Sequence, residues 1–256
     1  MSGTKESINS ITTKDLINTR NILLTKSNII IGASGNITKA KLESGLNKAF
    51  SKLSKGKPIN FSDNKLTITK KFINIPVKGS TNSDIYVVMP APSIIDNKEP
   101  NFTGELVNTY MGRGFNSLLV EEVRVKRGLV YYINSSLHYN LYGGFWLIKA
   151  TTANDKVKDT LNAITIALTE LTKKQYTAKD IKNIKQYIED SYLLSFASNE
   201  DIASTLADSA FSNYEIDDIY NANLDIRKTT RKNMDNVIDK YINPNNLTII
   251  VAGAKI

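Results

Sequence analysis

The sequence predicts an α+β protein, and three observations carry that prediction. Threonine-led capping patterns stand ahead of helix-like runs at Thr12-x-x-Asp15 and Thr177-x-x-Asp180. Short apolar runs closed by turn residues mark strands, most clearly at 28–31 and 246–251. The third observation is an internal repeat that joins both kinds of element. Thr12, Lys14 and Leu16 are matched in type by Thr230, Lys232 and Met234, while Asn28, Ile31 and Gly35 are matched by Asn246, Ile249 and Gly253, always 218 positions apart. A helix, a connection of fixed length and an apolar strand ending at a glycine have therefore occurred twice, one domain length apart.

The element order follows from these signals. A helix from Thr12 to about Leu24 leads to the strand 28–31 and the turn GASG at 32–35. Thr38 opens a second helix to about Leu53, and the polar stretch 54–64 reads as a linker. Two strands are expected at 65–77 and 84–89. Residues 101–127 read as two helices interrupted at MGRG (111–114), with Gly128 available as a left-handed cap. Strands at 129–139 and 144–151 are joined by a short turn, four or five helices fill 155–241, and the strand 246–251 comes last.

Composition narrows the function. With 256 residues, 41% of them apolar, the chain can bury a sizeable core, as one domain or as one and a fraction. No apolar run approaches the roughly 18 residues of a membrane span, and the opening MSGTKESINS lacks a signal-peptide pattern. Neither membrane insertion nor self-directed export is expected, and cytoplasm and periplasm both stay open. The absence of Cys removes disulfides, Cys-based metal sites and thiol catalysis. The net charge of +8 comes from scattered lysines without a basic block, so nucleic acid is not an expected partner. The arginines behave differently, because Arg113, Arg124 and Arg127 crowd rigid, bidentate guanidinium groups into one short window.

Catalytic options are few. His138 is the single histidine, so paired-imidazole zinc motifs cannot be built from this chain, and no G-x-S-x-G elbow supports a Ser-His-Asp site; a surface histidine is expected. Adjacent acids such as Glu121 with Glu122 diverge on a helix and are expected to be solvated. The turn GASG, with Gly32 and Gly35, could admit a dinucleotide pyrophosphate at the following helix. Against that, Thr38 stands where a third small residue is wanted, and the same strand-and-glycine unit recurs at 246–253 as a structural repeat.

The window 112–136, GRGFNSLLVEEVRVKRGLVYYINSS, resembles the C-terminal domain of pitrilysin/insulinase-type metallopeptidases, the group that includes mitochondrial processing peptidase. Phe115, Ser117, Leu119, Arg124, Lys126, Arg127, Gly128, Leu129 and Tyr131 fit the family pattern, whereas Leu118 replaces its arginine and Val125 its glutamate. Segments 3–16, 28–35, 143–152 and 243–253 are also family-like. The resemblance implies that Arg124 and Tyr131 hold the backbone of a peptide substrate near the metal. The spacing suits that role, since two donors on either side of a turn capped by Gly128 can converge on one carbonyl oxygen. The residues alone also admit another reading, with Arg124 offsetting the helix dipole and Tyr131 packing in the core.

The resemblance further implies two similar α+β units, each an antiparallel-rich mixed sheet with helices on one face, enclosing a peptide-sized chamber. Residues 1–57 are then the last part of a first, zinc-type unit without its metal motif, and 58–256 are the non-zinc unit. No cofactor is expected in this chain. Zinc belongs in a missing segment or a partner subunit, so the expected partners are a peptide and a zinc-bearing half, or a second copy. A non-catalytic structural or peptide-binding homologue is the alternative, and a dinucleotide-binding oxidoreductase using GASG is the third reading.

Overall fold

The computed structural model describes residues 3–59, 68–93, 102–114, 116–140 and 143–256. In chain order the elements are α1 (Lys5–Asn9), α2 (Thr13–Leu23), α3 (Lys39–Ala49), β1 (Lys71–Pro76), β2 (Asn82–Ala91), α4 (Phe102–Asn108), β3 (Val130–Asn140), β4 (Gly143–Ala153), α5 (Val157–Thr172), α6 (Ala178–Leu194), α7 (Asn199–Phe211), α8 (Ile216–Lys228), α9 (Arg231–Tyr241) and β5 (Thr248–Gly253). They fall into two compact units, Met1–Asp63 with Ser195–Phe211, and Asn64–Leu194 with Ser212–Ile256.

In the larger unit, strand alternation decides where the core lies. β2 buries every second residue, Ser83, Ile85, Val87, Met89 and Ala91, and β4 does the same with Trp146, Ile148, Ala150 and Thr152. These faces meet the apolar stripes of helices, among them Ala163, Ile164, Ala167, Leu168 and Leu171 of α5 and Met234 and Ile238 of α9. Burying each such Val, Leu or Ile side chain contributes about 1.5–3 kcal/mol. The sheet order is β1-β5-β2-β4-β3, with β1 and β5 parallel and the other pairs antiparallel. This is the expected antiparallel-rich mixed sheet in an α+β unit.

Helix boundaries follow local chemistry closely. Thr12 accepts from Asp15 N–H while the Asp15 carboxylate accepts from Thr12 N–H, and Thr177 with Asp180 repeats the arrangement ahead of α6. Thr38 caps α3, which stops at Ala49, short of Leu53. The expected strand 65–77 is present from Lys71, its residues 65–67 lying outside those described, as do the turn residues 141–142. β5 begins and ends two residues later than the apolar run suggested.

The smaller unit corrects one expectation. Residues 28–31 do not form a strand. A short 3₁₀ turn covers Lys26–Asn28, and residues 29–34 make no backbone–backbone hydrogen bond among the described residues. A strand needs neighbours to satisfy its backbone, and no described segment lies alongside as one. Polar ties hold this region instead: Lys26 and Ser27 N–H donate to the carbonyls of Ser54 and Lys55, and the Asn28 side chain bonds Ile22 O, Lys57 O and Ile59 N. Among its described residues no apolar side chain is fully buried.

Candidate functional site

The arginine-rich window folds as an interrupted helix. α4 continues into a π-helical turn, Thr109–Arg113, and the helix breaks at Gly114, where MGRG predicted a break. A second π-helical stretch, Val120–Val125, follows. Gly112 is required by close approach, since a Cβ there would lie 2.6 Å from Ser135 Oγ on β3. Ser135 in turn donates to Asn108 Oδ1 at 2.7 Å, locking the turn to the sheet. Gly128 ends the second stretch at φ 58°, with its N–H on the Arg124 carbonyl and Leu129 N–H on the Val123 carbonyl.

Two of the three clustered arginines are neutralised locally. Arg113 donates to Glu105 at 2.9 Å. Arg127 bonds the Glu122 carboxylate and also the Glu122 carbonyl, at 2.7 Å, while Lys126 reaches the same carboxylate at 3.0 Å. Glu122 is therefore not solvated, as its neighbour Glu121 is, but 6% exposed. Burial pushes its carboxyl up, yet the bonds and charges of Lys126 and Arg127 outweigh burial and hold it below the usual glutamate range. At Glu105 burial wins over Arg113, and the carboxyl sits above that range.

Arg124 is left without a carboxylate among the described residues. Its guanidinium lies over the Tyr131 ring, 5.6 Å from the centroid. The Tyr131 side chain is not in the core; the residue is 88% exposed. The reason is a β-bulge between Val130 and Tyr132, which leaves Tyr131 unpaired with β4. The two residues singled out from the sequence are thus brought together. An exposed cation–π contact is worth about 0.5–1 kcal/mol, weak enough to be exchanged for a ligand.

The pair stands at one corner of the sheet face opposite the helices, as the ladder register shows. Beside it Tyr132, Thr151 and Asp84 form one row, followed by Asn134, Lys149 and Tyr86, then Ser136, Leu147 and Val88, then His138, Phe145 and Pro90. None of these side chains is fully buried. Thr151 donates to Asp84 at 2.7 Å, Lys149 Nζ lies 5.7 Å from the Tyr86 ring centroid, and His138 stacks on Phe145 at 4.6 Å. The sequence marked β2 and β4 as strands, but their near-continuous apolar runs did not tell one face from the other. The bulge had no sequence signal.

Chemically, the arrangement offers a fixed cation, a phenol and a half-exposed sheet surface to an extended polar ligand. It does not offer a metal site. Among the described residues no three His, Cys, Asp or Glu side chains group together, and His138 is committed to Phe145 and Ser136. Gly32 of GASG has a packing explanation, since a Cβ there would lie 2.0 Å from the Ala203 carbonyl of α7 and that stretch of backbone is occupied by protein, whereas Gly35 answers to its positive φ of 143°. No helix among the described residues is long and apolar enough to cross a membrane. Phe115 of the motif falls outside the described residues.

Comparison with known proteins identifies the fold. The model of the peptidase M16 inactive domain matches residues 10–188. An uncharacterized zinc protease of Rickettsia felis is 26% identical over 172 residues, which are 67% of this chain and 41% of that protein. A second, from Rickettsia bellii, is 28% identical over 131 residues, 51% of this chain and 31% of its own length. The chain thus spans less than half of these relatives. Among solved structures, a peptidase M16 inactive domain from Pseudomonas fluorescens superposes with TM-score 0.86 at 22% identity, covering 99% of this chain and 60% of that one. A protease from Helicobacter pylori gives 0.84 at 17% identity, covering 98% and 61%. At such identities these structures speak to the fold.

Proposed function

The chain belongs to the peptidase M16 inactive-domain family, and on that premise we propose that it is the non-zinc half of a pitrilysin-type peptidase, lining the peptide chamber and clamping substrate with Arg124 and Tyr131. Zinc, which activates water for attack on the scissile carbonyl, would be supplied by another segment or subunit. This chain's part is to bind and orient an extended peptide. Arg124 donates to a substrate carbonyl, the Tyr131 hydroxyl donates beside it, and the open face of β2, β4 and β3 forms the wall.

One observation carries the reading: among the described residues Arg124, alone of the three clustered arginines, has no local carboxylate, and it lies over an exposed, bulged tyrosine. In this reading residues 1–57 complete the zinc-type unit and 58–256 form the non-zinc one. The test is peptide cleavage by a complex reconstituted with the zinc-bearing portion. Arg124→Ala and Tyr131→Phe should each lower kcat/KM by about ten- to a hundred-fold, the loss expected for a substrate-directed hydrogen bond. Unchanged cleavage in both variants overturns the clamp.

The departures at Leu118 and Val125 favour a second reading, a structural or peptide-binding homologue without catalysis. The same assay separates the two, because that homologue gives a folded complex with no cleavage to lose.

A further inference from the structure

We propose that Lys149, in the middle of the open sheet face, is a specificity determinant that selects extended peptides carrying an acidic side chain. The proposal rests on the reading above, that this face is the wall of a peptide chamber, and names the class of substrate the wall takes. β2, β3 and β4 contain one lysine or arginine between them, and it is Lys149. Lysine is depleted in strands, so its place there asks for a reason beyond the sheet itself. Along β4 it is the one exposed position, the others alternating between buried and half-buried.

Its surroundings leave the charge available. Across the ladder Lys149 stands between Tyr86 and Asn134, both uncharged. Its Nζ lies 5.7 Å from the Tyr86 ring centroid, and it has no ion pair among the described residues. The one acid of the three strands, Asp84, stands a row away opposite Thr151, whose hydroxyl donates to its carboxylate at 2.7 Å. A lysine stem laid against a ring keeps its three ammonium donors directed at water, and a ligand carboxylate can take the place of that water.

The spacing of the wall matches a peptide. Side chains of an extended chain return to one face every second residue, at about 3.3 Å per residue, and the rows of the wall are likewise two residues apart. A peptide running along β4 from the Arg124 and Tyr131 corner passes Thr151 and Asp84 first, Lys149 next, then Leu147 and Val88. The first row repels a carboxylate, the second attracts one, and the third favours an apolar side chain. The substrate class is therefore an extended peptide with Asp or Glu two residues from an apolar residue, and a basic residue at that place is rejected.

The experiment is an NMR titration of the full chain with three short peptides that differ only in a central Asp, Asn or Lys. Each carries a leucine two residues to either side, so that both directions of binding present the same pattern. The Asp peptide should bind about three-fold or more tightly than the Asn peptide, as an exposed ion pair allows, and the Lys peptide should bind most weakly. Amide shifts should centre on residues 147–151 and 84–88, and added salt should narrow the difference. Lys149→Met, which keeps the stem, should remove the preference, and Lys149→Glu should turn it toward the Lys peptide; the side chain is exposed, so both variants should fold. Equal affinities, no binding, or a preference that survives Lys149→Met overturns the proposal. Failure of the clamp reads differently, as a preserved preference for Asp with affinity indifferent to Arg124→Ala and Tyr131→Phe.

Discussion

The helix–glycine unit of residues 12–35 and its counterpart at 230–253 share caps, length and glycine conformation, yet one is stripped of packing and the other is central to a core. The comparison separates what a stretch of chain encodes alone from what its neighbours confer. Capping boxes form in both because donor and acceptor lie three residues apart. Among the described residues only one copy has a ladder, because β1 and β2 flank it.

The largest test of that contrast is truncation at matched positions. Met234→Ala should cost about 2–5 kcal/mol in denaturant unfolding, as expected for a side chain 0% exposed. Leu16→Ala should stay within about 0.5 kcal/mol. Equal costs would mean that the first copy is packed in solution and would break the comparison.

The glycines sharpen it. At Gly35 an added Cβ meets only Asn199, at 4.0 Å, so Gly35→Ala should lose the backbone-strain term alone, about 1–3 kcal/mol. At Gly253 the same Cβ lies 2.5 Å from Ser83 Oγ and 2.6 Å from Asn82 O, so Gly253→Ala should cost that strain plus the clash. Local exchange at residue 35 and global unfolding for the residue-253 variant measure the two; a larger loss at Gly35 contradicts the assignment.

The smallest effect lies in the caps, where Asp15 at the third helical position corresponds to Asn233. Bonds from the Thr12 hydroxyl and backbone N–H hold the Asp15 carboxyl below the usual aspartate value. A depressed folded-state pKa contributes stability above the unfolded value and loses it as pH falls through the folded one. Acid should therefore loosen the first turn of α2 and leave that of α9, whose cap does not titrate, as it was. Amide exchange as pH is lowered through and below the ordinary aspartate range checks this; parallel behaviour of the two helices would refute it.

Much of the fold was legible beforehand. Thr12, Thr38 and Thr177 announced helix starts and Gly128 a helix end, and apolar runs announced β2, β3 and β4. The candidate pair Arg124 and Tyr131 came from a family resemblance, and the structure supplied its surroundings. Glu122 read as solvated because adjacency to Glu121 says nothing of Lys126 and Arg127 folding back onto it. The apolar run 28–31 misled because an apolar run states a preference for burial and not the presence of a partner.

By itself the sequence determined the caps and the glycine that ends the arginine-rich helix, since each depends on groups only a few residues apart. Tertiary structure alone decided which copy became a strand, which methionine or leucine was buried, and that Arg124 should meet Tyr131 across a bulge. Ladders and burial are contracts between distant segments, and one segment cannot sign for both.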